Sequence, residues 1–220
     1  METTWESVDA FFSEHLGIED QALQRASTTS EAEGLPPIQV SAPAGKLLEL
    51  LVAMSGARSI LEVGTLGGYS TICLARGAGP EGCIITLEID QHHAEVAKVN
   101  LEFAGVDDRV AIKVGPALDS LELLSSQEGL SIDFSFIDAD KENNALYVEK
   151  AIELSHPGSI IVVDNVVRDG GVIEEDSTNS QIIGTRAMIS FVENHPCLEA
   201  TAIQTVGSKG YDGFLLARVI

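Results

Sequence analysis

From Arg58 onward, short apolar runs alternate with longer amphipathic ones. Ser59–Val63, Cys83–Leu87, Val110–Val114, Ile132–Ile137 and Ser159–Val163 are rich in β-branched and aromatic residues, which predicts a series of buried strands. Apolar residues at helical spacing follow each of the first four. They predict helices from Ile72 to the Gly77-Ala78-Gly79-Pro80 break, over Gln91–Phe103, over Leu118–Leu124, and over Asn144–Leu154 with a stop at Pro157-Gly158. This alternation predicts right-handed βαβ units and a mostly parallel sheet with helices on both faces. A polar stretch, Arg168–Ser180, reads as a loop, either beside the site or merely on the surface. A helix over Gln181–Glu193 ends before Pro196, and Leu198–Thr205 and Tyr211–Arg218 read as an antiparallel hairpin. Ahead of the strands lies a helical extension. Thr4–Leu16 carries Trp5, Val8, Phe11, Phe12 and Leu16 on one stripe. Gln21–Glu33 forms a second helix, broken by Gly34, Pro36 and Pro37. Ile38–Ser41 is extended, and a third helix begins near Pro43. The expectation is one domain: residues 1–57 as a helical cap, and residues 58–220 as an α/β core.

Composition narrows the classes. A chain of 220 residues with 45% hydrophobic residues can bury a full core. The net charge of −21 argues against nucleic acid or an anionic membrane as the main partner. No apolar run reaches the length of a membrane span, and the first ten residues are polar and acidic. Cys73, Cys83 and Cys197 form no CxxC pair and read as reduced thiols of a cytoplasmic protein.

In an open α/β sheet, ligands sit beyond the carboxyl ends of the strands. The first strand runs into Gly64-Thr65-Leu66-Gly67-Gly68. Such glycines let backbone approach a ligand at a helix N-terminus, although any tight strand-to-helix turn also uses them. Glu62 interrupts the strand, and an acid there requires a partner. The second strand ends at Glu88, suited to a ribose diol. The G-x-G of a dinucleotide site is missing, and no basic residue lies between Gly64 and Arg76. The pattern therefore favours a nucleoside with little or no phosphate. The fourth and fifth strands end in Asp138-Ala139-Asp140-Lys141 and Asp164-Asn165. Asp138, Asp164 and Asn165 offer hard oxygen donors suited to Mg²⁺, Mn²⁺ or Ca²⁺ rather than zinc. Taken singly, Asp138 is also an ordinary helix cap, and Asp164-Asn165 an ordinary turn. Lys141 begins the next helix, where the dipole does not favour a cation. Beside a divalent ion it could serve as a general base.

Together, LEVGTLGGYS, TLEID, GPAL, FIDADK and VVDNV resemble the cation-dependent small-molecule O-methyltransferases, the group that includes catechol and caffeoyl-coenzyme A O-methyltransferases. The resemblance spans about Leu35 to Val219. It implies a Rossmann-like fold with a seven-stranded sheet whose last strand is antiparallel, an S-adenosylmethionine cofactor, a divalent cation (Mg²⁺ foremost) and a homodimer. By position it implies that Val40, Glu62, Gly64, Thr65, Ser70, Glu88, Ala117, Asp138 and Asp140 bind the cofactor. Asp138, Asp164 and Asn165 would bind the metal, and Lys141 and Asp138 would be catalytic. The acceptor it implies is a vicinal dihydroxy phenol or a coenzyme A thioester. Residues 1–57 hold only Arg25 and Lys46 against nine acids, which suits a free catechol better than a polyphosphorylated thioester. Three further classes fit some of the same residues. A NAD-dependent oxidoreductase lacks its G-x-G. A metal-dependent hydrolase lacks a second metal site, and a non-catalytic binding module would need neither the oxygen trio nor Lys141.

Overall fold

The computed structural model describes residues 4–220. Among them, eight α-helices and seven strands are ordered as the hydrophobic pattern requires. The N-terminal helices are α1 (Thr4–His15), α2 (Gln21–Ala32) and α3 (Ala42–Ser55). Asp20 starts α2, its carboxylate accepting the amides of Ala22 and Leu23, both at 3.1 Å. Ser41 starts α3, which closes at Gly56 with φ 71°. The core runs β1 (Ser59–Val63), α4 (Tyr69–Ala78), β2 (Cys83–Glu88), α5 (Gln91–Ala104), β3 (Val110–Val114), α6 (Ala117–Ser125), β4 (Ile132–Ile137), α7 (Asn144–Glu153), β5 (Ser155–Asp164), α8 (Ser180–Glu193), β6 (Leu198–Gly207) and β7 (Gly210–Val219).

The strands form one sheet in the order β3-β2-β1-β4-β5-β7-β6. β7 alone runs against its neighbours, lying between β5 and the edge strand β6. The other pairings, β3-β2, β2-β1, β1-β4 and β4-β5, are parallel. The chain leaves β1 toward β2 on one side and later returns to β4 on the other. The loops after β1 and β4 therefore diverge and open a crevice at the switch point.

Two apolar layers cover the sheet. Leu61, Val63, Ile137, Val148 and Met188 fill one; Ile60, Phe134, Phe136, Ile72 and Val52 fill the other. Side chains alternate along a strand, so Glu62 shares a face with Ile60 and points toward α4. Thr86 is its register partner on β2.

One boundary departs from the sequence reading, and the structure adds three details to it. β5 starts at Ser155, not Ser159, because a register shift between Ile132 and Phe134 accommodates Pro157-Gly158 within the strand. The Ser159 hydroxyl holds that shift, donating to the Ile132 carbonyl at 2.7 Å and accepting the His156 amide at 3.0 Å. Ile38–Ser41 pairs with no strand. The polar loop after β5 contains a short 3-10 turn, Gly171–Ile173. Finally, α1 buries nothing: Trp5, Val8, Phe11, Phe12 and Leu16 remain exposed. Among the described residues no helix is long and apolar enough to cross a membrane, and Cys73, Cys83 and Cys197 are free thiols.

Candidate active site

A cavity of about 590 Å³ lies over the carboxyl ends of β1, β2 and β4. Gly64 fixes its floor. Its amide donates to the Leu87 carbonyl at 2.9 Å, and its φ of 104° suits glycine. A Cβ there would lie 2.1 Å from the Asp138 carbonyl oxygen. The ends of β1 and β4 thus touch backbone to backbone, which brings the glycine turn against the acidic strand end.

Glu88 organises the turn beyond. Its carboxylate accepts the Leu66 amide at 2.7 Å and the Asp90 amide at 3.0 Å, and His93 lies 3.4 Å away. Leu66 is held at φ 48°, a left-handed conformation with a steric cost for leucine. α4 then begins at Gly68 with no side-chain cap, leaving its first amides free for a ligand.

Glu62 is fully buried one layer below the cavity. It accepts hydrogen bonds from Ser70 Oγ at 2.6 Å, Thr71 Oγ1 at 2.5 Å and Thr86 Oγ1 at 2.6 Å. Burial pushes its pKa up to about 7 against the pull of those hydroxyls, and the Asp138 charge adds to the rise. Glu62 does not line the cavity, whereas Ser70 does. Its direct role is to hold Ser70 and the start of α4.

The acidic strand ends meet beside this turn. The Asp138 amide donates to the Val63 carbonyl at 2.8 Å. Lys141 Nζ lies 2.7 Å from Asp138 Oδ1. Lys141 is only 5% exposed, so it is no surface lysine. α8 presses on its backbone at Gly184, where a Cβ would come within 2.3 Å of the Lys141 carbonyl oxygen. Asp164 Oδ1 accepts the Asn165 amide at 2.8 Å, with Asn165 at φ 59°. Burial, and then the nearby Asp138 charge, hold the Asp164 carboxyl well above the usual carboxylate range.

Asp138 and Asn165 line the first cavity. Asp164 and Asn165 line a second, of about 560 Å³, between α3, the sheet and the β6–β7 turn. Val40 lines both. Gly64, Thr65, Ser70, Glu88, Ala117, Asp140 and Lys141 also line the first cavity, as expected from sequence. Asp140 is fixed by Asn143 Nδ2 and Tyr147 Oη, both at 2.5 Å. Sequence reasoning missed Leu66, Tyr69, His93, Tyr147, Arg168 and Gln181 on that wall. Tyr69 could have been found by its place beside Ser70, and Arg168 by the polar loop that it opens, but Gln181 carries no local signal.

Among the described residues no group of three or more His, Cys, Asp or Glu side chains is arranged for a metal; the trio here is two acids and an amide. Its donor set is hard oxygen, and the Asp138 charge that helps to raise the buried Asp164 carboxyl makes the pair suited to sharing a cation. The cavity over Glu88 and α4 could hold a nucleoside.

The sequence profile of the O-methyltransferase family matches residues 13–220. The chain is 54% identical over 212 residues to a catechol O-methyltransferase from Mycobacterium tuberculosis, covering 96% of this chain and 94% of that one. A catechol O-methyltransferase from Niastella koreensis is 44% identical over 215 residues, covering 98% and 97% of the two chains. The crystal structure of an O-methyltransferase from Bacillus cereus in complex with SAH superposes with a TM-score of 0.97 at 47% identity, covering 99% of each chain. By sequence, fold and the arrangement of its strand ends, the chain belongs to the O-methyltransferase family.

Proposed function

We propose that the protein transfers a methyl group from S-adenosylmethionine to one hydroxyl of a catechol-type small molecule, with the help of a divalent cation. The observation that carries this reading is the position of Asp138. It touches the glycine turn through Gly64, pairs with Lys141, and stands close enough to Asp164 to raise its pKa. A methyl donor in the first cavity and a vicinal diol at the oxygen trio would meet at that residue.

When bound, the donor supplies an electrophilic methyl carbon and the cation acidifies a coordinated hydroxyl. The chain's own residues do the rest. Glu88, already held by two amides, accepts from the ribose diol. Ala117 and Val40 flank the nucleoside, and Thr65, Ser70 and Asp140 line the remainder of its pocket. Asp138, Asp164 and Asn165 hold the cation. Lys141 Nζ, held 2.7 Å from Asp138 Oδ1, takes the proton from the acceptor hydroxyl. Fixing both partners in near-attack geometry supplies much of the rate. Loss of the sulfonium charge makes the acidic surroundings bind the donor better than the product.

The same reading makes residues 1–57 a cap over the acceptor side, with Val40 reaching both cavities. The exposed apolar stripe of α1 supports a homodimer, and the free thiols support a cytoplasmic setting. The test is methyl transfer from labelled S-adenosylmethionine to catechols, matched against phenols with a single hydroxyl. Transfer confined to the vicinal diols is expected. Equal methylation of the monophenols would overturn chelation as the basis of acceptor choice.

A further inference from the structure

The segment joining α2 to α3 borders both cavities. Ile38, Gln39 and Val40 line the two of them, as do Asn165 and Arg168 just past β5. The ends of this segment are fixed. Leu35 and Val40 are buried, the Leu35 amide donates to the Ser30 carbonyl at 2.9 Å, and Ser41 caps α3. Its middle has little support. It pairs with no strand, Ile38 is 68% exposed, and Pro36 and Pro37 have no N–H to donate. The Ile38 amide turns back on the Pro36 carbonyl at 2.8 Å, a contact within the segment itself. Among the described residues, one side chain ties this middle to the rest of the molecule by a hydrogen bond. Lys209 Nζ donates to the Pro37 carbonyl at 2.8 Å, across 172 positions of sequence.

Lys209 is presented from a stiff support. Gly207 and Gly210 are register partners at the end of the β6–β7 ladder, so Ser208 and Lys209 form a two-residue hairpin turn. β7 lies inside the sheet, between β5 and β6. The turn is also held against α1. The Ser208 amide donates to Asp9 Oδ2 at 2.8 Å, and a Cβ on Gly207 would lie 2.4 Å from the same oxygen. Lys209 shares the wall of the second cavity with Asp9, Asp164, Asp169 and Asp212, yet its ammonium goes to the backbone of the segment, and among the described residues it forms no ion pair. A charged donor on a carbonyl makes a stronger hydrogen bond than a neutral one.

We propose that Lys209 is a positioning residue that clasps segment 36–40 across both cavities, slowing release of the bound nucleoside and closing the wall of the acceptor pocket. The inference rests on the proposed adenosylmethionine site. Its test uses the whole chain as wild type, Lys209→Met, Lys209→Arg and Asp9→Ala. It measures dissociation of S-adenosylhomocysteine by surface plasmon resonance, KM for catechol, and hydrogen exchange of the Ile38, Gln39 and Val40 amides. Lys209→Met should speed dissociation by about tenfold, the order of one charge-assisted hydrogen bond, raise the catechol KM, and speed exchange at the three amides. The single-turnover rate at saturation should stay within about twofold, because Lys209 touches no reacting group. Lys209→Arg keeps a charged donor of similar reach and should restore all three properties. Asp9→Ala loosens the turn from its other side and should act in the same direction as Lys209→Met. An unchanged dissociation rate in folded Lys209→Met overturns the proposal, as does an unchanged rate in Asp9→Ala should Lys209→Met not fold. So does a faster rate that Lys209→Arg shares, or one accompanied by faster exchange throughout α2 and α3, which marks general loosening. A wild type that does not bind S-adenosylhomocysteine would remove the underlying reading and this proposal with it; tight binding that the variants leave unchanged would remove only the proposal.

Discussion

Gly64→Ala strikes the contact that joins the two halves of the site. The added methyl would lie 2.1 Å from the Asp138 carbonyl oxygen and 2.9 Å from its carbonyl carbon. Both atoms are backbone, so no side-chain rotation relieves the clash, and an ordinary contact requires the strand ends to part by more than about 1 Å. The φ of 104° adds a cost that glycine escapes. Overpacking of this kind costs roughly 1–3 kcal/mol and the left-handed backbone roughly 1–2 more, for a total of about 2–5 kcal/mol. Relief would stretch the Asp138 amide bond to Val63 or the Gly64 amide bond to Leu87, now 2.8 and 2.9 Å. Either shift carries Asp138 and Lys141 away from Thr65 and Glu88. A misplacement near 1 Å costs on the order of 10²-fold in rate. Urea unfolding measures the first effect, and single-turnover methyl transfer at saturating cofactor measures the second. A variant within about 0.5 kcal/mol of wild-type stability and with an unchanged single-turnover rate would refute the coupling of the two strand ends.

Lys141→Met should lower kcat by about 10²–10⁴-fold while leaving cofactor affinity, read by calorimetry, near that of the wild type. Glu88→Ala should do the reverse, weakening the cofactor by about tenfold or more because the ribose acceptor and the anchor of the Leu66 amide disappear together. Glu62 has a folded pKa raised to about 7 from an ordinary 4.5, so its protonated form favours folding. Stability from this group is greatest below pH 4.5 and declines as pH rises toward 7, by about 3 kcal/mol at most. Glu62→Gln should therefore gain stability relative to wild type between pH 5 and pH 8 in paired urea titrations. His156 moves in the same sense: its hydrogen bond to Asp133 raises its pKa. That contribution is full below the ordinary histidine pKa of 6.5 and vanishes as pH passes the raised folded value. The melting-point deficit of His156→Ala should accordingly shrink above that pH, within the 0–1 kcal/mol expected of a surface pair.

The fold was legible because each of the first four strands is bounded by turn residues and followed by a helical stripe. β3 and β4 match the reading end to end. β5 was misread because Pro157-Gly158 is a stop signal locally, and only pairing with β4 shows that the strand absorbs it. The strand-end acids and glycines stood out because their chemistry is local. Glu62 was harder. An acid in an apolar strand announces a partner, but Thr71 and Thr86, which bury it, come from two other elements. Gln181 was invisible for the same reason, since α8 brings it to the cavity and no spacing records it. The stripe on α1 predicted its helix but not its exposure, because amphipathicity does not say what covers the apolar face.

The central claim is that Asp138, Asp164 and Asn165 hold a cation needed for methyl transfer to a vicinal diol. The most direct measurement strips the protein with a chelator, assays methylation of catechol, and then restores Mg²⁺ in excess. The account predicts loss of transfer on chelation, full recovery with Mg²⁺, and no recovery in Asp138→Ala despite retained cofactor binding. Undiminished methylation by the stripped protein would contradict it.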